Sequence, residues 1–359
     1  MGKTYIIAEA GVNHNGNSEL AFKLIDKGIE AGADAIKFQI FKADNLATDK
    51  SDKAQYQLST TNKHESQLTM LKSLELPLKT YIKLKEYCEK LGADFLITAF
   101  DSTSLNFIIN KLNVSRLKIP SGEITNGPLI LQHAQSGLDI IMSTGMANLN
   151  EIQDALSIIS YGYNNQKPIN SVNFKKIIEF NKIEKPKISL KDKVTLLHCT
   201  TEYPAPIDEL NLKAIQTLKD TFGLMVGYSD HSEGILASII ASSFDIKIIE
   251  KHFTLDKTMA GPDHKASLEP DELKLMIESI RNTENIMGAG EKKASPSEIK
   301  NIFIARKSLV ALINIKKGDS FSEKNLTAKR SGNGISPMKF WEFIGKKACR
   351  DYLKDEIIE

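Results

Sequence analysis

The stretch Thr4-Tyr5-Ile6-Ile7-Ala8-Glu9-Ala10-Gly11-Val12-Asn13-His14-Asn15-Gly16 carries the decision about the fold. Residues 6–10 are a short apolar run that reads as a buried strand. The run ends in ionisable and turn-forming residues, and a helical pattern follows with Leu20, Leu24 and Ile25 on one face. The same unit recurs. Runs at 35–40, 95–100, 116–120, 140–144, 195–200, 225–229 and 248–254 bring the strands to eight. In the last helix Leu273, Met276, Ile277 and Ile280 keep an i, i+3, i+4, i+7 spacing, and Asn148 with Glu151 forms a capping box at the start of the fifth. Eight strand–helix units predict an α/β protein, a (β/α)8 TIM barrel. A doubly wound open sheet has the same periodicity and remains the alternative.

Around the repeat, residues 45–77 form a long polar connection after the second strand, on the side where barrel loops carry function. A Lys/Asn-rich insertion at 161–193 precedes a strand, which places it on the stability face. The barrel is expected over 1–287 and a linker over 288–300, marked by Gly288-Ala289-Gly290. A small, β-rich, polar domain follows over 301–359, too short for a large core of its own.

Composition narrows the function. Of 359 residues, 41% are hydrophobic and 26% charged, which excludes a disordered or collagen-like chain. The net charge of +2 provides no field for nucleic acid or an anionic membrane. No apolar run reaches the roughly 20 residues of a membrane span, and no signal-peptide segment precedes Tyr5. Three cysteines without zinc spacing predict reduced thiols and a cytoplasmic location. Only five of the 47 basic residues are arginines, so an arginine within a motif is less readily a generic solubilising charge.

The strands' C-terminal ends hold the chemistry. They deliver Glu9, then Lys37 and Gln39, Thr98, Lys118 with Ser121 and Glu123, Ser143, His198, Ser229 with His231, and Glu250 with His252. In a barrel these ends converge on one mouth. His231 and His252, on adjacent strands with Glu250 nearby, suit a divalent first-row metal such as manganese; a backbone-bonded structural role is the competing reading for either alone. Lys37 and Lys118 interrupt apolar strands, and a buried lysine needs an anionic ligand or a carboxylate partner. Neighbouring hydroxyls suit phosphate oxygens. A Schiff-base aldolase lysine is the rival enzyme reading, and a non-catalytic binding or scaffold protein the rival outside enzymes.

Ile7-Ala8-Glu9-Ala10-Gly11-Val12-Asn13-His14-Asn15-Gly16, Lys37-Phe38-Gln39, Lys118-Ile119-Pro120-Ser121-Gly122-Glu123, Ser143-Thr144-Gly145-Met146, His198-Cys199-Thr200-Thr201-Glu202-Tyr203-Pro204, Gly227-Tyr228-Ser229-Asp230-His231, Glu250-Lys251-His252-Phe253-Thr254 and Gly261-Pro262-Asp263-His264 together resemble the sialic acid synthase family. Lys329-Arg330-Ser331-Gly332-Asn333-Gly334 resembles its antifreeze-like (SAF) domain. The resemblance implies condensation of phosphoenolpyruvate with an N-acylated mannose-type sugar, with Mn2+ or Mg2+ as cofactor. It also implies a domain-swapped homodimer in which one subunit's SAF domain covers the other's mouth. By matching positions, His231 and His252 would ligate the metal. Lys37, Thr98, Lys118, Ser121, Ser143 and Ser229 would hold phosphoenolpyruvate. Gln39, Tyr203, Asp263 and, across the dimer, Arg330 would bind the sugar, with Glu9 and then Glu123 as catalytic carboxylates. The wording around Phe38, Gln55-Tyr56-Gln57-Leu58 and Thr201 is similar to the legionaminic acid branch, which takes 2,4-diacetamido-2,4,6-trideoxymannose; the N-acetylneuraminate and pseudaminate branches are the alternatives. A 6-deoxy sugar calls for a more apolar wall and an extra amide partner; Phe38 is consistent with that wall and equally with plain packing.

Overall fold

A computed structural model of the chain describes residues 2–165, 174–183 and 188–359. They form two compact units, Met1–Gly288 and Ala289–Glu359. In the first, eight parallel strands close into a barrel: β1 (Tyr5–Gly11), β2 (Ala35–Ile40), β3 (Asp94–Ala99), β4 (Arg116–Ile119), β5 (Asp139–Ser143), β6 (Val194–His198), β7 (Met225–Asp230) and β8 (Ile248–His252). β8 pairs back onto β1, so the open-sheet alternative is excluded.

Strand alternation explains the layering, because every second side chain points into the barrel. Ile7, Ala35, Leu96, Ile141, Leu197 and Ile248 form an apolar plug of their own. Two residues further along the same strands stand Glu9, Lys37, Thr98, Ser143, Cys199 and Glu250. A polar layer therefore rests directly on the plug, towards the strands' C-terminal ends. The intervening residues, among them Ala8, Ile36, Phe38, Ile97, Ile140, Leu196 and Ile249, face the helices in the main core.

The helices dock through their apolar faces. In Pro270–Met287, Leu273, Met276, Ile277 and Ile280 are all buried, each contributing about 1.5–3 kcal/mol relative to exposure. Asn148 caps Leu149–Asn164, and Glu151 returns a bond to the Asn148 amide, the expected capping box. The polar connection after β2 contains three short helices, Ala43–Leu46, Gln55–Thr60 and Gln67–Leu74. Of the 161–193 insertion, residues 166–173 and 184–187 lie outside the described residues. Phe174–Ile183 is helical, and Leu190–Lys193 runs directly into the N-terminal end of β6.

The second unit is less strand-rich than its sequence suggests. Among the described residues β9 (Ser308–Ala311) and β10 (Leu326–Lys329) form one antiparallel pair, with isolated bridges such as Ile315 to Tyr352. Leu309, Ile315, Phe321, Leu326, Tyr352 and Ile358 make its small core. The segment read as linker instead enters a helix, Pro296–Ala305. Ser295 caps it and Glu298 closes the box, with Pro296 at the first turn. No described helix is long and apolar enough to cross a membrane.

Candidate active site

The barrel mouth holds a cavity of about 400 Å³. Its floor is a four-membered charge cluster. Lys37 Nζ lies 2.8 Å from Glu9 Oε2 and 3.6 Å from Glu250 Oε2, while Lys118 Nζ donates to Glu250 Oε1 at 3.2 Å. All four side chains are buried. Strand pairing brings them together: Glu9 is in register with Lys37, and Ser229 with Glu250. Lys37 also donates to Thr98 Oγ1 at 3.1 Å, and Ser229 Oγ to Glu250 Oε1 at 2.9 Å. The counter-charge that the lysines require is thus supplied by carboxylates of the barrel itself. Glu250 serves the lysines, rather than the histidines beside which its position in sequence suggested it.

The two carboxyls are driven apart. Burial opposes ionisation of Glu250, but Lys118 and Lys37 outweigh it and hold its carboxyl well below the usual range. Glu9 goes the other way: burial raises it, Lys37 offsets this in part, and the charge of Glu250 adds to the rise. Burial opposes the Lys37 ammonium, yet Glu250 and Glu9 keep its pKa raised. For Lys118 burial prevails and the pKa is lowered. A carboxyl held up beside one held down is the signature of divided acid–base roles.

Above the floor, His231 and His252 stand with ring centroids 5.5 Å apart. Burial, joined by His252, lowers His231 to about 3, and burial, joined by Lys37, does the same to His252, so both imidazoles are neutral. His231 Nδ1 donates to the Thr200 carbonyl at 2.6 Å, which leaves Nε2 as the lone-pair nitrogen. His252 Nδ1 is buried without a hydrogen-bond partner. Two neutral imidazoles with lone pairs to offer fit a divalent ion bound partly by water or substrate. Among the described residues no three His, Cys, Asp or Glu side chains converge as a ligand set. Behind the pair, Asp230 and Lys251 form a fully buried ion pair at 3.1 Å, and Ser232 and Ser238 also donate to Asp230. It ties β7 to β8 next to both histidines and fixes their spacing.

The remaining expected residues mostly gather here. Tyr203 is stacked on His231 at 4.2 Å, its hydroxyl 3.2 Å from Nε2. Gln39 donates to Glu9 Oε1 at 2.9 Å. Asp263 lies 3.7 Å from His252 Nδ1, and burial, with Glu9, raises it to about 7. Ser121 accepts from the Gly145 amide at 3.1 Å, and the buried Ser143 Oγ has no partner. Glu123 lines the cavity, accepting from Asn126 at 2.6 Å. Arg330 belongs to the second unit, exposed just after β10. Phe38 lies away from the cavity: it is 0% exposed and stacked on Phe95 in the main core. With Lys37 and Gln39 facing inward, period two already directs Phe38 outward. Two residues of the sequence motifs that had no assigned role also stand here: Cys199, in contact with Ser121 at 3.1 Å, and Tyr56, 5.2 Å from Tyr203.

A closed parallel barrel with charged, partnered and histidine-bearing strand ends at its C-terminal mouth defines a barrel enzyme. Residues 24–292 match the NeuB family, and the chain belongs to that family. It is 52% identical to the N,N'-diacetyllegionaminic acid synthase of Campylobacter jejuni, over 100% of this chain and 99% of that one. It is 43% identical to the synthase of the same name from Legionella pneumophila, over 96% and 90%. Among solved structures, the N-acetylneuraminic acid synthetase of Leptospira borgpetersenii matches with a TM-score of 0.65 and 34% identity, over 84% of this chain and 90% of that one.

Proposed function

We propose that this enzyme condenses phosphoenolpyruvate with 2,4-diacetamido-2,4,6-trideoxymannose to give N,N'-diacetyllegionaminic acid and phosphate, in bacterial surface-glycan biosynthesis. The observation that carries the reading is the buried Glu9–Lys37–Glu250–Lys118 cluster beneath two neutral imidazoles. Full-length identity of 52% to a legionaminic acid synthase supports the choice of sugar.

Lys37 and Lys118, with Thr98, Ser121, Ser143 and Ser229, hold the phosphate and carboxylate of phosphoenolpyruvate. Glu250 keeps both lysines in place. His231 and His252 would hold Mn2+ or Mg2+, and two imidazoles favour manganese. A bound ion supplies a Lewis acid for the sugar's aldehyde oxygen. Gln39, Tyr203 and Asp263 position the open-chain sugar. The enol carbon attacks the aldehyde, a carbon–carbon bond forms as the carbonyl π bond opens and its oxygen takes up a proton from solvent, and water adds to the cationic carbon that bears the phosphate. Glu9, whose carboxyl burial holds up, orients this water and takes its proton, and Glu123, which also lines the cavity, is the second candidate. Phosphate then leaves against the lysines and hydroxyls.

The second unit is proposed as an SAF domain that serves a partner's mouth in a domain-swapped homodimer, bringing Arg330 to the sugar's acyl group. The free thiols Cys88 and Cys199, both buried, and Cys349 support a reducing cytoplasm.

Phosphate release with phosphoenolpyruvate and either this sugar or N-acetylmannosamine tests the proposal. Release is expected with the diacetamido sugar, lost with a chelator and restored by manganese. Release with N-acetylmannosamine alone would move the enzyme to the N-acetylneuraminate branch. No release with either sugar in the presence of metal would overturn the synthase reading.

A further inference from the structure

The cavity has a second lining that owes nothing to the strand repeat. Helix Gln67–Leu74 turns Gln67, Met70, Leu71 and Leu74 towards it, one face at i, i+3, i+4 and i+7. Met70 and Leu74 are 3% and 6% exposed and join Val12 and Phe41 in an apolar cluster separate from the main core. Phe100 packs against that cluster. These partners follow β1, β2 and β3, an arc whose middle, β2, stands across the eight-strand ring from β6, which leads to Tyr203, while β3 stands across from β7, which His231 follows. The wall therefore stands over the β1–β3 side of the mouth, opposite Tyr203 and His231.

The wall is held, not loose. Ser66 caps the helix by accepting from the Thr69 amide at 3.2 Å. Just before it, Lys53 is buried against Glu65 at 2.8 Å and also donates to Thr61 and the Asn62 carbonyl. After it, Glu75 accepts from Lys42 at 2.9 Å and from the Ala43 amide at 2.8 Å. At Gly16, where φ is +71°, a Cβ would collide with the Ser73 carbonyl, so the helix rests directly on the β1 loop. A surface fixed at both ends can discriminate.

We infer that this helix face reads the non-reacting end of the acceptor sugar: the Met70–Leu74 cluster seats the C6 methyl, and the Gln67 carboxamide pairs with the C4 acetamido group. The inference rests on the proposed function and deepens it. With the aldehyde at the imidazoles and phosphoenolpyruvate on the lysines, C4 to C6 extend across the mouth towards this wall. A methyl group there replaces water against buried carbon. A 6-hydroxyl would lose its hydration and gain no partner. Gln67 offers one donor edge and one acceptor edge, the complement of an acetamido N–H and C=O. The apolar wall that a 6-deoxy sugar demands is thus assigned to Met70 and Leu74 in place of Phe38.

The test compares kcat/KM for 2,4-diacetamido-2,4,6-trideoxymannose and for N-acetylmannosamine in the wild type, Met70→Gln and Gln67→Met. The wild type is expected to favour the trideoxy sugar by about 10- to 100-fold. Met70→Gln narrows that ratio by about tenfold. Gln67→Met lowers kcat/KM for the diacetamido sugar by about tenfold and leaves KM for phosphoenolpyruvate within about twofold. Should Met70→Gln fail to fold by circular dichroism, Gln67→Met decides, since Gln67 is only half-buried. Ratios within about twofold of wild type in the folded variants overturn the wall assignment alone. A wild type that releases phosphate with neither sugar overturns the proposed function and this inference with it.

Discussion

The floor and the wall of one cavity are built by opposite means. The floor comes from strand residues, three of its four charges two places above an apolar plug, and those charges are paired before any ligand arrives. The wall comes from a short helix outside the repeat and presents carbon and a single carboxamide. Paired buried charges confer chemistry but are costly to disturb, whereas an apolar wall confers selectivity and tolerates exchange more readily. A barrel can therefore hold its reaction constant in the strands and vary its substrate in the excursions.

Breaking the floor should have the largest effect. Lys37→Met leaves Glu9 and Glu250 facing each other in burial, and removing one partner of such a cluster costs about 3–5 kcal/mol. Lys118→Met should cost less, about 1–3 kcal/mol, because Glu250 keeps Lys37 and Ser229. Urea denaturation midpoints measure both. Equal costs, or a stabilised Lys37→Met, would break the account of the floor. The wall variants are read as changes in selectivity: Gln67→Met, at a half-buried position, with little change in stability, and Met70→Gln with some loss, because it buries a carboxamide among carbon.

A purely pH-dependent effect, absent at neutral pH, lies outside both regions. Burial lowers His133 to about 4 from an ordinary 6.5, and its Nδ1 donates to the Leu129 carbonyl at 2.8 Å. Between pH 6.5 and 4 the unfolded chain binds the proton that the folded chain refuses. Stability from this group is therefore full above 6.5, falls as the pH drops through that window, and levels off below 4. His133→Gln should flatten the dependence by about one proton, read from denaturation midpoints at pH 4.5, 5.5 and 7. An unchanged slope would show that His133 does not titrate as its burial requires.

How far the sequence carried differs between the two regions for physical reasons. The barrel was readable because each strand is an apolar run closed by polar residues, and the observed ends differ by one or two positions. The floor residues were readable one by one. Their pairing was not: Lys118 and Glu250 are 132 residues apart, and only ring closure joins them. The wall was hidden because helices of four to eight residues leave little periodicity, so 45–77 read as a polar loop. The helix Pro296–Ala305 carried its signal in Ser295 and Glu298, which a linker reading passed over.

The central claim is that Glu9, held up by burial in a cluster otherwise fixed by charge, moves the proton in turnover. Steady-state kinetics of Glu9→Gln, beside calorimetric binding of phosphoenolpyruvate, tests it directly. The account predicts a fold and a phosphoenolpyruvate affinity that persist, with kcat down by about 10²–10⁴. Near-normal turnover in Glu9→Gln would contradict it.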